Sequence, residues 1–103
     1  MNRRQFLGTS LGAAAVYRMQ AASDEIQVGI IGVGGRGRSL LRSLLSMEGV
    51  RVRFLCDPDQ ASLERAQAIL KERNAPAVQT TADMRRVLDD PSIDAVFIAT
   101  PDH

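Results

Sequence analysis

The stretch Ile26-Gln27-Val28-Gly29-Ile30-Ile31-Gly32-Val33-Gly34-Gly35-Arg36-Gly37-Arg38 decides how this chain of 103 residues is read. Its first six residues form an apolar run of strand length. Beyond Arg38, leucines at 40, 41, 44 and 45 recur at helical spacing, so the glycine-rich segment 32–37 is a strand-to-helix turn. Gly32, Gly34 and Gly37 make a G-x-G-x-x-G around Val33, Gly35 and Arg36. The first glycine permits the tight turn, the second lets backbone approach a pyrophosphate, and the third lets helix and strand pack closely. Free N–H groups at the positive end of the helix dipole would then hold a double anion without a lysine, with Arg36 and Arg38 able to add charge. Such turns also arise for packing alone, so the neighbouring sequence must supply the meaning.

Downstream, the first helix is expected to run to about Glu48, with Gly49 ending it, and a second strand covers Val50 to Cys56. Asp57 stands 20 residues past Gly37, at the strand end where an acidic side chain accepts hydrogen bonds from an adenosine ribose. That acid would repel a 2′-phosphate, favouring NAD over NADP. Asp57-Pro58 is equally a good helix start, with Asp as cap and Pro in the first turn, and the two roles are compatible. The second helix, about 58–73, carries Leu63, Ala66, Ile69 and Leu70 as its buried stripe. A short strand near 77–79 follows. Thr81 is then expected to cap a third helix with Met84, Val87 and Leu88 inward, Asp90-Pro91 turns the chain, and residues 93–99 form a fourth strand. The pattern predicts an α/β fold: a Rossmann-type doubly wound parallel sheet, incomplete, with about four strands and three helices.

Three features need separate readings. The alternation Val50-Arg51-Val52-Arg53-Phe54 implies one wet strand face bearing the two arginines. Cys56 reads as apolar filler rather than a nucleophile, since no His stands near it in sequence. Ala99-Thr100-Pro101-Asp102-His103 follows the carboxyl end of the last strand, where open α/β sheets bind ligands. His103 could serve as base or donor to a substrate, but a surface or cofactor-lining place is the ordinary reading, and no residue is assigned to catalysis.

Composition narrows the field. The 45% apolar and 24% charged residues are ordinary for one small globular domain. Net charge is +1, but Arg3, Arg4 and Arg18 fall in the N-terminal segment; beyond residue 22, ten Lys and Arg face twelve Asp and Glu, giving −2. Charge alone would not attract nucleic acid. One cysteine excludes an internal disulfide, and no Cys/His cluster offers a metal site. Residues 1–22 have the layout of an export signal: a basic start, the apolar run Leu11-Gly12-Ala13-Ala14-Ala15-Val16, and small residues at Ala21-Ala22, where cleavage is placed. The run is too short for a permanent membrane span. Arg3-Arg4-x-Phe6-Leu7 resembles the twin-arginine motif read by the Tat exporter, with Asn2 and Gly8 departing from it. The expected destination is therefore the periplasm. A basic N-terminus without that address is the alternative.

Taken together, Ile30 to Arg38, Cys56-Asp57-Pro58 and Val96 to His103 resemble the Gfo/Idh/MocA oxidoreductase family, over residues 26–103. The resemblance implies that Gly32, Val33, Gly34, Gly35, Arg36 and Gly37 hold the pyrophosphate of NAD(P). It also implies that Asp57 holds the ribose, that Thr100 and Pro101 meet the nicotinamide half, and that Asp102 and His103 lie alongside. Similar proteins add a Glu-Lys-Pro tripeptide and a domain for sugar or polyol; with neither in this sequence, the chain reads as a fragment of low stability whose fourth strand lacks an outer neighbour. The functions implied are the cofactor-binding part of an exported oxidoreductase acting on a sugar, inositol or polyol, or of an NAD-dependent glycosidase or lyase. A binding fragment without turnover and a methyltransferase are further classes. A homo-oligomer is compatible with a full-length form.

Overall fold

The computed structural model describes residues 15–18 and 25–99. In chain order they form β1 (Ala15–Arg18), β2 (Ile26–Ile31), α1 (Gly35–Leu45), β3 (Val50–Cys56), α2 (Gln60–Glu72), β4 (Gln79–Thr81), α3 (Met84–Leu88) and β5 (Ala95–Ile98). The sheet order is β1-β5-β2-β3-β4. The pairs β5–β2, β2–β3 and β3–β4 are parallel, so the expected four parallel strands and three helices are present. The order reverses beside β2: β3 and β4 build outward on one side and β5 on the other, which makes the end of β2 a topological switch point.

Two apolar layers sandwich this sheet. Beneath α1 and α2, Val28, Ile30, Val52, Leu55, Ala95 and Phe97 pack with Leu40, Leu41, Leu44, Leu63, Ala66, Ile69 and Leu70. Each large side chain so buried contributes about 1.5–3 kcal/mol. The predicted stripe of α2 is thus the buried one. The opposite layer is smaller and joins Ile31, Phe54, Cys56 and Val96 to Val87 and Ile93. Here the expectation for α3 needs correction: Val87 alone is buried, while Met84 is 51% and Leu88 38% exposed. Five residues make barely more than one turn and present only one inward position. Val87 rides directly over Gly29, where a Cβ would come within 2.6 Å of Val87 Cγ1.

The elements shift from their expected bounds for local reasons. Helix α1 stops at Leu45 rather than Glu48, and Gly49, with φ of 81°, turns the chain into β3. Strand β4 covers residues 79–81, two later than expected. A register shift between Val28 and Gly29 gives β3 one extra residue opposite β2. Strict alternation therefore breaks: Val52 joins the layer under α1 and α2, but Phe54 joins the layer under α3. Arg51 and Arg53 are half-buried rather than a solvated face. The Arg53 guanidinium donates to Gln27 Oε1 at 2.9 Å, and Arg51 Nε is buried.

At the entry to β5, the buried Asp94 anchors two strands. Its carboxylate accepts the Gln27 N–H at 2.9 Å, and its own N–H donates to the Gln27 carbonyl at 2.7 Å. The outer side of β5 is also occupied, contrary to expectation: β1 pairs with it antiparallel, Ala15 opposite Ile98 through Arg18 opposite Ala95. Four residues of the preceding segment thereby meet the N–H and C=O groups that an edge strand would otherwise present to water. The rest of the stretch read as a leader, including Arg3, Arg4 and Ala21-Ala22, lies outside the described residues. Among the described residues, no helix is long and apolar enough to cross a membrane.

Candidate functional site

Four parallel strands end together at one edge, and backbone bonds continue past each of them. Gly32 N–H donates to Cys56 O (2.8 Å), Asp57 N–H to Thr81 O (3.1 Å) and Ala99 N–H to Ile31 O (2.8 Å). This fixes the starting points of three loops relative to one another. From β2 the chain turns through Gly32, whose φ of 95° is a left-handed value that favours glycine. Helix α1 then begins at Gly35, capped by the extended Gly34 with no side-chain bond. With no side-chain cap, the first-turn N–H donors are left without a side-chain partner at the positive end of an 11-residue helix. Gly35 and Arg36 are exposed, so these donors face solvent. Arg38 closes the turn from behind: its N–H donates to Gly34 O at 3.0 Å and its guanidinium to Val33 O at 3.2 Å.

The glycines divide by what a methyl group would meet. At Gly37 a Cβ would overlap the Gly32 carbonyl, so this residue is required by the contact of helix and turn. At Gly34 and Gly35 a Cβ would meet nothing within 4 Å. Their smallness leaves room for something other than the protein.

Asp57 is the second anchor. Its Oδ2 accepts the Val33 N–H at 2.9 Å and its Oδ1 the Asp59 N–H at 2.8 Å, which ties the end of β3 to the glycine turn. A carboxylate offers about four acceptor positions, so two remain for incoming hydroxyls. Turn and acid share a cleft of about 520 Å³ whose lining includes Gly32, Gly34, Asp57, Pro58, Ala82 and Met84. Cys56 also lines it but is buried in the sheet, and burial, followed by the charges of Asp57 and Asp83, pushes its thiol above the ordinary value. A raised thiol is a poor nucleophile at neutral pH, in keeping with a filler role.

Gly32, Val33, Gly34, Gly35, Arg36, Gly37 and Asp57 are thus brought together. Thr100, Pro101, Asp102 and His103 lie outside the described residues. One expectation is corrected: Asp57 does not cap the second helix, because its carboxylate is engaged by Val33 and the helix starts at Gln60. Asp59 is the cap, accepting Ser62 N–H at 3.2 Å and Ser62 Oγ–H at 2.8 Å. Likewise Asp83 caps α3 while Thr81 Oγ1 accepts the Asp83 N–H at 3.0 Å. Asp59 and Ser62 also line the cleft, and their signal in the sequence is an aspartate, a preferred cap, just ahead of the α2 stripe. Among the described residues, no group of three or more His, Cys, Asp or Glu could hold a metal ion.

Comparison with known proteins gives one family and consistent relatives. Residues 26–103 match the model of the Gfo/Idh/MocA family, described as an oxidoreductase family with an NAD-binding Rossmann fold. A glycosyl hydrolase family 109 protein of Shewanella baltica is 37% identical over 94 residues, covering 87% of this chain and 20% of the relative. The alpha-N-acetylgalactosaminidase of Shewanella oneidensis is 35% identical over 96 residues, covering 89% and 21%. Among solved structures, myo-inositol dehydrogenase from Lactobacillus casei, in complex with NAD(H) and myo-inositol, superposes with a TM-score of 0.64 at 30% identity. That superposition covers 74% of this chain and 22% of the dehydrogenase. The chain spans about a fifth of the length of the curated relatives it matches.

Proposed function

From the premise that this chain belongs to the Gfo/Idh/MocA family of NAD-binding oxidoreductases, we propose that residues 32–37 and Asp57 form the NAD site of an enzyme acting on a sugar, inositol or related polyol. The carrying observation is the contrast within the turn: Gly37 is glycine to pack the helix, whereas Gly34 and Gly35 border open space beside unsatisfied helix-start donors. A pyrophosphate fits those donors. The two unused acceptor positions of Asp57 fit ribose hydroxyls, and Arg36 lies exposed at the helix start to add positive charge. NAD, when bound, accepts and returns a hydride; the chain's own part is to hold and orient it. Thr100, Pro101 and His103 are assigned to the nicotinamide side on the family resemblance.

The substrate class draws support from the inositol dehydrogenase neighbour. A second reading, glycoside cleavage with the same cofactor site, draws on the glycosidase names of the relatives at 35% and 37% identity. Both need this NAD site. It is tested by titrating the protein with NAD and NADP: NAD should bind more tightly, and Asp57→Ala should narrow the gap by about tenfold, of the order lost with one charged hydrogen-bonding partner. A preference for NADP would sink the ribose assignment.

Export through the twin-arginine route belongs to the same proposal, since a protein carrying a bound cofactor benefits from crossing the membrane folded. Residues 1–25 fused to a reporter should direct it to the periplasm, and changing Arg3 and Arg4 together to Lys should abolish this. Export that survives the double change would refute the route.

A further inference from the structure

Strand β1 sits in the sheet on different terms from the others. Each parallel strand is joined to the next by a helix: α1 between β2 and β3, α2 between β3 and β4, α3 between β4 and β5. Residues 19–25, which separate β1 from β2 in sequence, are fewer than the roughly ten that a crossover helix requires. The hold of β1 on the sheet is one antiparallel pairing of four residues with β5, and a pairing this short is marginal by itself. Its bonds can be read from the inner side of β5. Ala99 N–H donates to Ile31 O and Ile31 stands opposite Ile98, so alternation turns the N–H and C=O groups of Val96 and Ile98 outward. Those two residues stand opposite Tyr17 and Ala15. Ala95, Val96 and Phe97 are buried, so β5 without an outer neighbour would present an apolar edge.

We propose that β1 is a detachable strap, closing the β5 edge and withholding the leader from the exporter while it is in place. Its four residues have two uses that exclude each other. All of them lie within residues 1–22, read as an export leader, and Ala15-Val16 end its apolar run. An exporter takes a leader as a segment free of the folded body, whereas in the strap the backbone groups of Ala15 and Tyr17 are committed to Ile98 and Val96. The exporter therefore meets the leader only for the fraction of time that the strap is off, and its apparent affinity falls by that fraction. Release in turn opens the outward N–H and C=O groups of β5 to another strand. The closing of the edge stands on the pairing alone, and the withholding rests on the reading of residues 1–22 as a leader.

Prolines at consecutive strand positions leave one of the two on the paired side, so Val16→Pro combined with Tyr17→Pro detaches the strap. Ile98→Pro removes an outward donor from β5 instead and leaves the leader's sequence intact. In the full chain, hydrogen exchange at Val96 and Ile98 should be at least about tenfold faster in the first variant, with the inward amides of Phe97 and Ala99 within about twofold of wild type. Equal acceleration at all four amides would make β1 an integral strand, and no acceleration would mean that β1 does not close the edge; either result overturns the strap. Tryptic cleavage after Arg18, measured against cleavage after Arg73 in the folded body, should be at least about tenfold faster in Ile98→Pro. This arm decides the matter should the paired prolines unfold the chain, and an unchanged ratio overturns the strap. Ile98→Pro should also be exported at least about threefold more than wild type, because its leader is free for more of the time. Equal export alongside faster cleavage overturns the withholding. Export of neither protein, with exchange and cleavage as expected, overturns the leader reading and the withholding with it, while the strap on the β5 edge stands.

Discussion

Gly34 and Gly37 lie three residues apart in one turn and are glycine for different reasons. The methyl of an alanine at 37 would overlap the Gly32 carbonyl, which is backbone and cannot swing aside. Gly37→Ala should therefore destabilise the fold by about 3 kcal/mol, the upper part of the range for overpacking, read as a lowered thermal midpoint. An unchanged midpoint would mean that the turn relaxes easily. The need for glycine at both positions was legible from spacing, because tight turns and close approaches recur in a fixed pattern. What Asp57 does was only half legible. Its bond to the Val33 amide joins residues 24 apart, which no local rule reveals, and that engagement hands the capping of α2 to Asp59.

At the scale of elements, helices α2 and α3 both begin on an aspartate whose carboxyl lies below the usual range. For Asp59 the foremost cause is the Ser62 hydroxyl; for Asp83 it is the Arg85 amide. A carboxyl lowered in the folded state adds stability that is present above its unfolded value, about 3.9 for Asp, and is lost as pH falls through the folded value. The melting temperature should hold from pH 7 to about 5 and decline below about 4. The pair Asp59→Asn and Asp83→Asn should show a shallower acid decline, and an identical slope would show that other carboxylates govern it. Helical stripes were readable because burial imposes a 3.6-residue period, as Leu63, Ala66, Ile69 and Leu70 demonstrate. The bulge in β3 was not. Its extra residue compensates the register between two strands, so Phe54 changes layer for a reason held partly in β2.

Across the whole molecule, alternation of strands and helices was enough to give a parallel doubly wound sheet, since a crossover helix returns each strand to the same direction. It could not give β1, because residues 15–18 were assigned to a leader and antiparallel pairing of four residues leaves no periodic trace. The cofactor end of the sheet emerges from that topology: the order reverses beside β2, and the open glycine turn, Asp57 and their shared cleft all stand at the carboxyl ends of β2 and β3. The claim that this edge is built around a pyrophosphate is tested most directly by calorimetric titration of NAD into the wild type and Gly34→Ala. A Cβ at residue 34 meets nothing in the protein. The variant should therefore keep its fold, its thermal midpoint lowered by no more than the few degrees that alanine in place of a glycine cap costs, yet bind NAD at least about tenfold more weakly, a loss of about 1.4 kcal/mol. Equal affinity in the two proteins would contradict a dinucleotide at this turn.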